Sequence, residues 1–209
     1  MFIELVDALR CPNAHEESWL VASTLQMDAR HIVNGTLGCP VCTAEFPVRA
    51  GVVDFRQGTS APRAASLRGD AETAMRLAAL MNLTDASGFA VLCGSWGAHA
   101  QELAAIVETP IVVVDPPEGV SGSPGISVIL SNGPVPLAAG AARAIAVDDG
   151  SAGQVASAIR ATKAKGRVVG TPATPVPSDV SELARDDRMW VGEAGAATSP
   201  LVTLHVRRG

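Results

Sequence analysis

The sequence predicts an α/β protein in two parts: a small β domain folded around a cysteine and histidine cluster, then a doubly wound, mostly parallel sheet closed by an antiparallel hairpin. Three observations carry this prediction. Cys39-Pro40-Val41-Cys42 has an upstream counterpart in Cys11-Pro12-Asn13-Ala14-His15, short β-branched runs alternate with helical stretches after residue 70, and two apolar runs late in the chain are separated by a short loop. The expected boundaries are a first domain over 1–56, a linker over 57–69 and a second domain over 70–209.

The C-x-x-C spacing of Cys39 and Cys42 lets two thiolates reach one metal from a tight turn. A second half-site is then required. Upstream, Cys11 repeats the Cys-Pro start, and His15 follows one residue beyond Ala14, which stands where a second thiol would. Cys11, His15, Cys39 and Cys42 make a closed Cys3His shell, suited to tetrahedral zinc and without an open position for catalysis. Around it, residues 2–10 read as a short helix or turn, Trp19 to Ala22 as a strand and Ser23 to His31 as a hairpin connection. Asn34-Gly35 reads as a turn, His31 to Val33 and Val48 to Phe55 as further strands, and Trp19, Phe46 and Phe55 as core.

Leu9-Arg10-Cys11-Pro12, Cys39-Pro40-Val41-Cys42 and Glu45-Phe46-Pro47-Val48-Arg49-Ala50-Gly51-Val52 resemble the zinc-ribbon family that includes the activator subunit of tRNA and translation-factor methyltransferases. The resemblance covers residues 2–56. It implies a docking and stabilising module without catalytic residues of its own, and hence a protein partner.

Gln57 to Gly69 has the small, polar composition of a linker. Asp70 then caps a helix with Ala74, Met75, Leu77, Ala78 and Met81 at helical spacing. Strands follow at Phe89 to Cys93, Ile111 to Val114, Ile126 to Leu130, Arg143 to Val147 and Arg167 to Gly170, with helices over Ala98 to Glu108 and Ser151 to Lys165. Three prolines make Thr171 to Asp179 an extended loop. Met189 to Val191 and Leu201 to Val206 are the expected edge hairpin.

In such a sheet ligands bind beyond the carboxyl ends of the strands, so Cys93-Gly94-Ser95-Trp96-Gly97-Ala98-His99 is the loop to inspect. Gly94 and Gly97 permit a tight turn. Asp115, about twenty residues on, can accept ribose hydroxyls from a nucleoside cofactor. This order of elements resembles the class I S-adenosylmethionine-dependent methyltransferases over about residues 70–208. The resemblance implies S-adenosylmethionine as cofactor, with Gly94 and Asp115 kept from that family's usual set and Trp96 and Gly97 the other candidate binding residues of the loop. Carried over, the glycine positions of that family's loop become Gly94, Trp96 and Ala98, and its leading acid becomes Leu92. Trp96 either occludes the site or stacks on an adenine. Asp148-Asp149 offers a general base or a solvated turn, Cys93 lacks a base partner, and His99 starts a helix.

A formal charge of -5 and the absence of a basic half give no footprint for nucleic acid. Arg160, Lys163, Lys165 and Arg167 read as a solvated helix end. Paired cysteine spacing, acids near the start and no apolar run of about 20 residues predict a cytoplasmic protein without a membrane segment. Two functions remain open: a non-catalytic binding or scaffold protein with a decayed cofactor loop, and a methyltransferase with a fused activator ribbon. The sequence names no catalytic residue, substrate or oligomeric state.

Overall fold

Eleven strands join into one mixed sheet in the computed structural model, which describes residues 1–58, 65–150 and 152–195. The first four belong to the N-terminal segment: β1 (Val21–Asp28), β2 (His31–Gly38), β3 (Glu45–Arg49) and β4 (Val52–Asp54). They form an antiparallel meander, preceded by the one-turn helix α1 (Leu5–Ala8). The α/β segment contributes α2 (Ala71–Leu80), β5 (Ala90–Cys93), a 3-10 helix over Gly94–His99, α3 (Ala100–Ala104), β6 (Ile111–Val114) and β7 (Ile126–Leu130). It continues through β8 (Ala142–Val147), α4 (Ala152–Ala161), β9 (Thr162–Gly170), β10 (Val180–Arg185) and β11 (Trp190–Ala194).

The strand order is β1-β2-β3-β4-β7-β6-β5-β8-β9-β11-β10. Strands β4 through β9 run parallel, with β5 at the centre and the chain winding outward in both directions from it. Strands β5 to β8, apolar except for Ser127 and Arg143, are buried on both faces, as central parallel strands require. Ala90, Leu92, Val113 and Ala146 face α2 and α3, while Val91, Cys93, Val114 and Val147 face α4, α1 and the N-terminal residues Phe46 and Phe55. One core cluster therefore runs from Leu5 to Trp190.

Several local expectations change. Trp19 is 63% exposed, with the Arg10 guanidinium 4.6 Å over its ring, so it is no core residue. Ser23 to Asp28 is strand rather than connection, and the turn falls at Ala29-Arg30, where Ala29 takes φ +48°. Asn34-Gly35 lies inside β2: a Cβ at Gly35 would sit 2.5 Å from the Ser23 carbonyl oxygen, so glycine serves close approach of two strands beside a bulge. Gly35→Ala is expected to cost about 1–3 kcal/mol, read from urea unfolding.

Asp70 caps α2 through the Thr73 N–H at 2.7 Å as expected, although Met75 faces solvent. The expected helix over Ala98 to Glu108 starts earlier, as a 3-10 turn, and ends at Ala104. The helix expected to reach Lys165 ends at Ala161, which moves Lys163 and Lys165 into β9. An antiparallel hairpin does close the sheet, but β11 pairs with β10, and β11 lies between β9 and β10. Leu201 to Val206 falls outside the described residues. No helix among the described residues is long and apolar enough to cross a membrane.

Candidate metal centre and candidate ligand crevice

Two tight turns face each other in the N-terminal segment. The first is the loop closed by the Cys11 N–H bond to the Ser18 carbonyl, 3.1 Å, next to the Arg10–Trp19 bridge. The second is the turn from β2 to β3, where Cys39 N–H donates to Ala44 and Thr43 N–H to Cys39, with Thr43 at φ +57°. They bring the ligand atoms of Cys11, His15, Cys39 and Cys42 within 4.8 Å of one another.

The separations suit one tetrahedral ion. Around a zinc with Zn–S of about 2.3 Å and Zn–N of about 2.0 Å, two sulfurs stand about 3.8 Å apart, and a sulfur and a nitrogen about 3.5 Å apart. Cys11 Sγ and Cys42 Sγ lie 3.7 Å apart, and Cys39 Sγ and His15 Nε2 3.5 Å apart. His15 Nδ1 is 2.5 Å from the Glu16 carbonyl oxygen. A carbonyl only accepts, so Nδ1 carries the proton and Nε2 presents its lone pair to the cluster, the outer-shell pattern of a metal-ligating histidine.

The thiols are unequal. Burial pushes Cys11 up to about 12, whereas the Ala44 backbone and the Asn13 amide, 3.3 Å from the sulfur, draw Cys42 down to about 7. Burial raises Cys39 too, but the N–H groups of Cys42 and Val41 outweigh it and leave that thiol lowered. Two thiols are thus drawn toward the thiolate, and the third is one whose ionisation a bound cation would have to favour.

The second arrangement lies at the carboxyl ends of β5, β6 and β8, where the sheet's winding reverses. A crevice of about 330 Å³ is lined there by Gly94, Asp115, Asn132, Asp148, Asp149 and Gln154, among others. Gly94 takes φ +58°, and a Cβ on it would collide with the Asp148 carboxylate. That carboxylate accepts the Ser95 N–H at 2.7 Å. The amide that opens the loop is therefore satisfied from within the chain.

Asp115 is also engaged. It sits at φ +48°, and its carboxylate accepts from Ser131 N–H at 2.7 Å, from Asn132 N–H at 3.1 Å and from Gln154 Nε2 at 3.2 Å. Trp96 does not line the crevice. Its side chain packs in the cluster on the α2–α3 face, and its indole N–H donates to the Val147 carbonyl at 2.9 Å. Gly97 lies where a Cβ would meet Val113 and Pro116, so it lets the 3-10 turn seat on β6. His99 Nδ1 accepts the Asp70 N–H at 3.1 Å and ties the turn to α2. Cys93 is buried and its thiol is pushed up by that burial, while Asp149 is exposed at the rim.

Sequence reasoning missed Asn132, Gln154 and the contact of Asp148 with the loop. None follows a spacing rule, because each depends on which strand ends stand side by side.

No known family and no curated protein matches the chain. Solved structures similar to it include methyltransferases. A methyltransferase from Geobacter sulfurreducens is 11% identical over 62% of this chain and 81% of its own, with a TM-score of 0.42. A protein from Escherichia coli described as the methyltransferase YhhF is 14% identical over 66% and 93%, TM-score 0.39. A geranyl diphosphate methyltransferase in complex with S-adenosylmethionine is 12% identical over 48% of each chain, TM-score 0.38.

Proposed function

We propose that the chain is a zinc-binding, methyltransferase-like protein that acts without catalysis, as a binding or scaffold protein for a protein partner in the cytoplasm. Its proposed organisation is a zinc ribbon over 1–56, a linker over 57–69 and the methyltransferase-like part over 70–209. The observation that carries the reading is the Asp148 carboxylate on the Ser95 amide, directly over Gly94. A cofactor placed there would have to displace a charge-assisted hydrogen bond and leave a carboxylate without its donor beside Asp115. Leu92 supplies no acceptor where the related loop begins with an acid, and Asp115 already holds three donors. Zinc held by Cys11, His15, Cys39 and Cys42 acts as a structural cross-link, since all four positions of the shell are filled by protein.

One observation favours the alternative, an S-adenosylmethionine-dependent methyltransferase with a fused activator ribbon: the crevice stands open at the switch point with Gly94 and Asp115 on its wall. Calorimetric titration of metal-analysed protein with S-adenosylmethionine and S-adenosylhomocysteine separates the two. The expected result is no heat of binding at millimolar ligand. Micromolar binding that weakens in Asp115→Ala would replace the scaffold reading with the enzyme.

A further inference from the structure

Among the described residues, the two outer edges of the sheet are built differently. Edge strand β10 carries Glu182 and Arg185, which pair with each other at 2.9 Å, and acids follow at Asp186 and Asp187. Charges of this kind are how proteins keep an open strand from pairing with another chain. The opposite edge, β1, carries only Asp28, at its last position. From Ser18 to Met27 there is no charged residue and no proline. Trp19 (63% exposed), Val21 (63%), Leu25 (83%) and Met27 (41%) are four of the large apolar side chains that the described residues leave in solvent. Leu25 is the residue left out of the β1–β2 ladder at the bulge. Among the described residues no strand pairs with the outer side of β1.

We propose that β1 pairs antiparallel with β1 of a second copy of this chain, making a two-fold dimer with one sheet continuous across both. The sequence of the edge is self-complementary about Ser23. In that register Val21 stands opposite Leu25 and Trp19 opposite Met27, so apolar meets apolar, and beyond the strand Glu16 stands opposite Arg30, adding a carboxylate to a guanidinium that already pairs with Glu4. Both flanking residues are exposed. A two-fold axis uses the same edge on each copy and closes the assembly, and the charged β10 edge discourages continuation into a fibre. Beside the edge, a groove of about 650 Å³ between Leu25, Thr36, Pro47 and Arg49 leaves room for the partner's side chains.

Sedimentation over a concentration series from about 1 to about 300 µM tests the pairing. The wild-type chain is expected to pass from 21.4 kDa to twice that mass. Leu25→Lys, and separately Val21→Glu, should raise the dissociation constant at least about tenfold. Leu183→Lys on the other edge should leave it unchanged. All three positions are solvent-exposed, and circular dichroism checks that each variant is folded. Hydrogen exchange gives a second readout: the β1 amides not bonded to β2 should gain protection as concentration rises. A wild type monomeric throughout, or a dimer indifferent to both β1 variants, overturns the proposal.

Discussion

Cys39→Ser is expected to remove the metal, taking zinc from one per chain to none, and to lower the melting temperature of the whole protein by more than about 10 °C. Cys39 is the buried member of the cluster and the start of the second turn, which is closed by its own N–H and carbonyl. A serine there keeps the turn but not the soft ligand, and three remaining donors hold zinc poorly. The loss spreads because β3 and β4 continue through β7 into the parallel strands, and Phe46 and Phe55 share a core with Val112 and Val114. Calorimetry should therefore show one displaced transition, with metal content read by mass spectrometry. Unchanged zinc and unchanged melting would refute the Cys3His site.

Trp96→Gly should cost about 3–5 kcal/mol of stability and bring no gain in affinity for S-adenosylmethionine. The indole is 6% exposed, packs with Leu77, Leu92 and Leu103 on the α2–α3 face, and gives its N–H to Val147. Removing it leaves a cavity beneath the loop and an unpaired carbonyl at the end of β8, while the Asp148 carboxylate stays over Gly94. Urea unfolding measures the cost and titration calorimetry the affinity. A variant as stable as wild type, or one that binds the cofactor where wild type does not, would contradict this placement of the ring.

The parts of the fold that were legible are those where burial writes itself into consecutive residues. β6 and β7 are legible to the residue because runs apolar but for Ser127 end at Asp115 and begin after Gly125. β10 was not, because Val-Ser-Glu-Leu-Ala-Arg is exposed at all but its first position and follows a proline-rich loop. β1 was misread for the same reason: an edge strand with solvent on both faces carries no alternation. Asn34-Gly35 shows a turn dipeptide overruled by its surroundings, where the glycine is needed for the approach of β1. The convergence of Cys11, His15, Cys39 and Cys42 is legible because each turn concentrates its candidate ligands within a few positions. The closure of the loop was not, since Ser95 and Asp148 meet only after the strands are ordered.

The pairing of β4 with β7 also sets a schedule for synthesis. Val52 leaves the ribosome well before Val128, its partner in the ladder, and at ~5–20 residues per second several seconds separate them. During that interval β4 shows a bare edge, and its closure is a contact of high sequence separation, slow to form in any chain. Zinc bound early would hold the nascent meander in one shape while it waits. Faster translation of the intervening α2 to β6 stretch should raise the soluble yield, and starving cells of zinc should reduce it before any effect on the finished protein is felt.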